Sequence, residues 1–389
     1  MNPITYQAPL FLRAWSKGVL TICVTLGPLV SGFSQTNPII TFDAPGAGTA
    51  AFQGTLAVME ADSGDTIGYF SDANLVYHSF IRSADGEFTI IDAPGAGTTL
   101  YQGTLANGIG SDGKIVGFFY DSNYVSHGFL RDPSGKIITI DAPNAGTGTD
   151  QGTNATSINV DGEIAGYIQD NNGVYHGFVR SRSGTFTLFD APNSGTGNKQ
   201  GTVVLYGGAL NSHGELCGFF TDPNGAVFCY VRQRSGAIIS FDPLESTLCF
   251  PTWINDARVS TGCTLANGSF HGFIRRSNGA IKTFDVPDPS LGAFGTQPNA
   301  INAFGVITGV FGDTNTITHG FIRHVDGVIS EFDAPGAGAV PGSFQGTTPL
   351  SINSAGDIVG YLVDSNDVVH GFLRSPQRSL LGKVPAGLH

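Results

Sequence analysis

Short apolar runs separated by tight-turn residues fill the chain from residue 39 onward, and one stretch shows the grammar of the rest. Residues 155–159 form a short run of small residues, and Asn159 to Gly162 has the composition of a hairpin turn, with Asn opening it and Gly supplying positive φ. Residues 163–168 read as a second strand and Asp170 to Gly173 as another turn. Residues 174–180 read as a third strand, Arg182 to Gly184 as a turn, and residues 185–190 as a fourth strand. A longer loop, 191–202, comes next. The second strands, such as 114–120, are apolar on both faces and so predict burial from both sides. A four-stranded antiparallel sheet sandwiched between like sheets is a propeller blade.

The unit repeats. Asp-x-Pro recurs at Asp43, Asp92, Asp141, Asp190, Asp285 and Asp333, with a contracted Asp-Pro at Asp242, in steps of 49, 49, 49, 52, 43 and 48. His-Gly-Phe or a variant recurs at His78, His127, His176, Phe228, His271, His319 and His370. Gln-Gly-Thr follows the Asp marker at Gln53, Gln102, Gln151, Gln200 and Gln345. Residues 39–43 are a fourth strand without a unit of their own, and the last unit has three strands and no fourth. Pairing the two completes seven blades and removes two open edges. The expected fold is therefore all-β: a seven-bladed β-propeller of four-stranded antiparallel blades, closed by the N-terminal strand pairing into the last blade. An open β-solenoid is the competing architecture, but it leaves the offset of the ends without a reason.

Residues 1–34 differ from the rest of the chain. They carry Arg13 and Lys17, no acid, and an apolar run from Gly18 to Gly32. Small residues at Gly32 and Ser34 suit a cleavage site, which predicts a signal peptide over 1–34, the repeat array over 35–375 and a tail over 376–389. An uncleaved anchor is the alternative, against which stand the short run and its break at Gly27 and Pro28. Such a leader implies export to the periplasm or the extracellular space, with no membrane span after cleavage. Export also permits disulfides among Cys217, Cys229, Cys249 and Cys263, which allow three pairings; buried free thiols are equally compatible with the sequence.

Composition agrees with a turn-rich propeller. Glycine supplies 55 of 389 residues, and only 13% are charged. A net charge of −12 argues against a nucleic-acid partner. A hydrophobic fraction of 41% argues against disorder.

Candidate chemistry gathers at the repeats. His78, His127, His176, His271, His319 and His370 are expected to be structural, each locking its blade through a hydrogen bond to a nearby Asp, Thr or carbonyl. Asp72, Asp121, Asp170, Asp222, Asp313 and Asp364 follow the second strands. In an antiparallel four-strand blade these turns share one face with the long loops, including Gln102 and Gln151. That face would be rich in carboxylates, amides and hydroxyls, suited to sugar hydroxyls or cations. These Asp and Gln residues are the candidate ligand contacts. No cofactor is required by the sequence, and calcium is the cation the turns would suit. Arg131, Arg180, Arg275, Arg323 and Arg374 end third strands and are expected as solvated or salt-bridged rim groups. Gly108 to Lys114 spells nucleotide-binding patterns, but the same stretch in sibling units is a hairpin turn, and Ile115 stands where a phosphate loop needs Ser or Thr.

The combination of a second-strand Gly-aromatic, the turn Asp, His-Gly-Phe-x-Arg and Phe-Asp-Ala-Pro resembles the extracellular HAF-repeat proteins, named for a His-Ala-Phe motif. The resemblance covers nearly the whole mature chain and implies a bacterial exported repeat protein. It carries no settled activity and no catalytic residue. Unit 4 departs from it with Phe228, and unit 5 starts from Asp242 without the alanine. The expected function is a monomeric, non-catalytic binding or scaffolding module whose loop face holds a glycan, a cation or a protein. The alternative is a propeller enzyme, such as a lyase or a glycoside-cleaving enzyme, with its site at the mouth of the central channel.

Overall fold

A computed structural model describes residues 39–376, apart from Thr247, Pro289 and the side chain of Ala293. The expected leader and all but the first residue of the expected tail lie outside the described residues. Among the described residues there are strands, turns and no helix.

The strands pair as successive antiparallel sets of four, here units 1 to 7: residues 54–91, 103–139, 152–189, 201–241, 249–284, 291–332, and 346–374 joined by 39–42. Unit 3 shows why the sequence folds this way. Its strands are Gly152–Ile158, Ile164–Gln169, Tyr175–Arg180 and Phe186–Phe189. Asn159 Oδ1 accepts from the backbone N–H groups of Asp161 and Glu163 at 3.1 and 2.9 Å, closing the first hairpin from inside. Ile164, Ala165, Ile168 and Phe178 are fully buried, as the two-sided apolar strand predicts.

The first strand begins at Gly152, three residues earlier than the sequence suggests. The cause is backbone contact between units. Gly152 bridges in parallel to Ser126 of unit 2 with φ of 122°, and a Cβ there would sit 2.0 Å from the Ser126 carbonyl oxygen. Only glycine fits, which explains the glycine of every Gln-Gly-Thr.

The two chain ends meet. Ile39 to Phe42 pairs antiparallel with Arg374 to Gly371. Gly54 of unit 1 bridges in parallel to Val369 of unit 7, and Val369 N–H donates to the Gln53 carbonyl at 2.8 Å. Three of the five strand-ending Arg residues, Arg275, Arg323 and Arg374, do not follow expectation. Arg275 and Arg323 are buried, and their guanidiniums lie over Phe241 and Phe284 of the preceding unit, each 5.0 Å from the ring centroid. Arg374 lies over Phe332 in the same way. They are inter-unit stacking groups, not solvated rim charges, because the planar guanidinium finds an aromatic face at the unit boundary.

The unit 4–5 junction uses a different link. Cys229 and Cys249 form a disulfide between the third strand of unit 4 and the first strand of unit 5. Cys217 and Cys263 are buried thiols, and burial pushes Cys217 up to about 12.

Candidate functional site

Four antiparallel strands per unit put two kinds of connection at opposite ends. The 1–2 and 3–4 hairpins share one end. The 2–3 turns and the long loops share the other.

The hairpin end is a hydrogen-bonded ladder. Asn159 Nδ2 donates to the Asn211 carbonyl of the next unit, Asn211 to Asn255, Asn255 to Asn302 and Asn302 to Asn353, at 3.1, 3.2, 3.0 and 3.2 Å. Asn353 then reaches the Ala61 carbonyl of unit 1 at 3.5 Å. Units 1 and 2 carry Ala61 and Gly110 at this position and have no amide to pass on. Beside the gap, Glu60 pairs with Thr66 where other units pair apolar residues, such as Ile109 with Ile115. Burial, then the nearby Asp357 carboxylate, raises the Glu60 pKa to about 7.

The long-loop end is built on carboxylates. In each turn of the Asp170 type, one Asp oxygen accepts two backbone N–H groups. For Asp170 these come from Asn172 and Val174, both at 2.8 Å. Asp72, Asp121, Asp222, Asp313 and Asp364 repeat the pattern. Burial works to raise the pKa of Asp121, Asp170 and Asp364, but these hydrogen bonds outweigh it and hold the carboxyls below their ordinary value.

Two further contacts explain why the long loops recur nearly unchanged. The Ala N–H of Asp-Ala-Pro donates to the Thr hydroxyl of Gln-Gly-Thr, as Ala93 does to Thr104 at 2.8 Å and Ala142 to Thr153 at 3.0 Å. The Gln carbonyl oxygens accept loop N–H groups: Gln102 from Thr99 at 3.1 Å and Gln151 from Gly148 at 2.9 Å. Gln102 is 2% exposed. These two Gln side chains therefore hold the loops from beneath.

Each third-strand histidine bonds one carboxylate, and in units 1, 2, 3 and 7 it stands between two. His78, His127, His176, His271, His319 and His370 set Nδ1 at 2.8 to 3.0 Å from Asp92, Asp141, Asp190, Asp285, Asp333 and Asp43. In units 1, 2, 3 and 7 the Nε2 atom faces the turn Asp at 4.0, 3.9, 3.7 and 3.7 Å. His78, His127 and His319 stack on Phe70, Phe119 and Phe311 at 5.1 Å. The hydrogen bond to the Asp-x-Pro carboxylate, opposed by burial, raises the pKa of these three. Unit 4 keeps the stack without the charge, as Phe228 lies on Phe220 at 5.4 Å. The partner outside the stack, Asp190 in unit 3, is half-exposed, so this end presents carboxylate oxygens to solvent.

In unit 3 these groups line a groove of about 660 Å³, with Asp170, His176 and Asp190 on one side and Asn144 of the preceding loop on the other. Leu188 and Phe189 form its apolar wall. Asn144 and Leu188 are contributors that the repeat markers do not single out. Among the described residues, no three His, Cys, Asp or Glu side chains gather to hold a metal ion.

A second cluster comes from a departure in unit 4. Its first strand stops at Val203, and the following segment carries Tyr206. Tyr206 sets its hydroxyl 3.1 Å from that of Tyr167 and stacks on Phe118. Burial, and then neighbouring phenols that include Tyr206, push Tyr69, Tyr120 and Tyr167 well above the ordinary value. This cluster springs from the interrupted strand after Val203.

No family model and no curated protein matches the chain. Solved structures do. A virginiamycin B lyase from Staphylococcus aureus superposes with a TM-score of 0.55 at 17% identity, over 87% of this chain and 99% of that one. The BP39L lectin from Burkholderia pseudomallei does so with a TM-score of 0.53 at 8% identity, over 82% and 98%. The fold is that of a β-propeller. A fungal lectin described as a six-bladed propeller, from Aleuria aurantia, is also similar at 13% identity over 75% and 96%, but its TM-score of 0.36 is too low to bear on the number of blades. The bracketed histidines sit on third strands at the long-loop end.

Proposed function

We propose that this is an exported, closed seven-bladed β-propeller of the HAF-repeat type, a non-catalytic module that binds hydroxyl-rich, glycan-type ligands on its long-loop face. The observation that carries the reading is the Asp–His–Asp bracket, repeated with nearly constant geometry and with its Asp-x-Pro carboxylate half-exposed. Carboxylates accept hydrogen bonds from sugar hydroxyls, and adjoining Asn amides both donate and accept. Repetition offers several related seats, which favours multivalent binding of a repetitive ligand. Seven strand sets and the pairing of residues 39–42 with 371–374 support the closed seven-bladed ring. The Cys229–Cys249 disulfide supports an oxidising compartment.

The enzyme reading would place chemistry at the phenol cluster. Burial keeps those phenols neutral near pH 7, so they hydrogen-bond well and serve poorly as bases.

The test is thermal melting of the mature protein with methyl pyranosides, and separately with calcium chloride. Ligand at ten times its Kd adds about 1.4 kcal/mol. The expected result is a rise with at least one pyranoside that disappears in the Asp121→Asn/Asp170→Asn variant. A panel in which no saccharide shifts the melt, or a shift with calcium alone, overturns the glycan reading.

A further inference from the structure

The repeated seats are not equal: unit 4 has Phe228 in place of the histidine, and unit 5 turns through Asn267 without an aspartate. We infer that the unit 3 groove is the primary seat, that it takes a neutral pyranose, and that Asn144 and Asn171 set its affinity; this rests on the glycan reading above.

The first departure lies in the backbone at position 144. Asn144 has φ of 66°, in the left-handed region that glycine occupies without strain. The matching loop residues before units 1, 2 and 7 are Gly46, Gly95 and Gly336, each at 94°. Asn is the side chain that tolerates this conformation best. Here it brings an amide to the groove wall, and that amide makes no hydrogen bond among the described residues.

The second departure lies across the groove. Asn171 stands in the turn where units 1, 2, 4 and 7 have Ala73, Ser122, Pro223 and Ser365. Its Oδ1 accepts the Thr147 N–H at 3.3 Å, which leaves the amide nitrogen for a ligand. The groove before unit 4 also has an Asn in the left-handed position, Asn193, but it lacks both the second Asn and the histidine. Unit 3 is the unit that unites the two amides with the Asp170–His176–Asp190 bracket.

The set matches a pyranose. Vicinal hydroxyls can bridge an amide's donor and acceptor, while Asp190 accepts from a third. Leu188 offers an apolar surface to the C–H face of the ring, as Ile90 does in unit 1, where units 2, 4 and 5 have Thr139, Ser240 and Thr283. A groove of about 660 Å³ is the size of small-ligand sites.

The experiment is calorimetric titration with methyl glucoside, galactoside, mannoside and fucoside. Three proteins are compared: wild type, Asn144→Gly/Asn171→Ala, and the graft Gly95→Asn/Ser122→Asn. The first variant only restores residues that siblings carry, so the fold is kept. The graft has room, because a Cβ at Gly95 would meet only the Phe119 ring at 3.7 Å, but the backbone must move from φ of 94° toward the 66° that Asn144 adopts, so its melting temperature is measured alongside. The expected result is one seat at least tenfold tighter than the rest in wild type. That seat is lost at an unchanged melting temperature in the first variant, and a second tight seat appears in the graft. If the first variant binds like wild type while Asp121→Asn/Asp170→Asn weakens binding, the inference falls and the glycan reading stands. If no pyranoside binds wild type, both fall.

Discussion

The hairpin end and the long-loop end of this propeller solve the same problem with different chemistry. Both must join each blade to the next. The hairpin end does so with neutral amides, each buried and each spent on a neighbouring carbonyl. The long-loop end joins blades through backbone bridges and buried hydroxyls, and leaves carboxylates facing outward. The amide ladder links units 3 to 7, and reaches unit 1, without any group from the long-loop end. That end repeats groups that the fold can do without, as unit 4 demonstrates by stacking Phe228 where units 1, 2 and 6 stack histidine. The contrast separates repetition that holds the ring from repetition that is available to a ligand.

The comparison can be broken first at the seam. Deleting residues 39–43 removes the strand paired with 371–374, the Phe42 ring packed on Phe80 and the Asp43 partner of His370. The expected result is a fall in melting temperature of more than about ten degrees or loss of a cooperative transition, since a whole strand and its burial are lost. An unchanged melt refutes closure.

Glu60 gives the next effect. Its pKa is raised from 4.5 to about 7, so the folded state is fully favoured below about pH 4.5 and loses stability as pH climbs through about 7. His78, His127 and His319 act with the same sign, losing their contribution as pH rises above 6.5 through their raised values. Asp121, Asp170 and Asp364 act oppositely, losing theirs as pH falls below 3.8. Stability should therefore be greatest between about pH 4 and 6 and decline toward pH 8. Glu60→Ile, which restores the residue of units 2 and 3, should gain up to about 3 kcal/mol at pH 8 and little at pH 4. Melts of the two proteins at the two pH values decide it.

The ladder gives the smallest effects, of opposite sign. Asn302→Ala removes a donor to Asn353 and an acceptor for Phe304 and Val306, and should cost about 2 kcal/mol. Ala61→Asn supplies a missing rung and should gain up to about 1 kcal/mol. Equal destabilisation by both in a denaturant series would mean that the rungs at units 1 and 2 are not simply vacant.

Much of the fold is legible in the sequence because its markers are covalently spaced. Asp-x-Pro, His-Gly-Phe and Gln-Gly-Thr fall at fixed strand positions, so chain spacing reports blade spacing. The turn aspartates are legible for the same reason. The ladder is hidden, although Asn159, Asn211, Asn255, Asn302 and Asn353 recur, because an Asn opening a turn satisfies local chemistry and betrays no partner fifty residues away. The Arg residues mislead because a charge at a strand end resembles a rim group until the Phe of the previous blade arrives beneath it. Asn144 is hidden because its meaning lies in the φ that it shares with the glycines of other units.

The most direct measurement of the central claim uses the histidines as reporters at both ends. His213 and His324 lie in hairpin-end turns, and the six third-strand histidines, four of them bracketed, lie at the long-loop end. With imidazole carbons labelled, saturating the mature protein with the pyranoside that most raises its melting temperature should shift bracketed-histidine resonances, His176 foremost, and leave His213 and His324 in place. No shift in the bracketed set, or shifts confined to His213 and His324, would contradict a ligand-binding long-loop face.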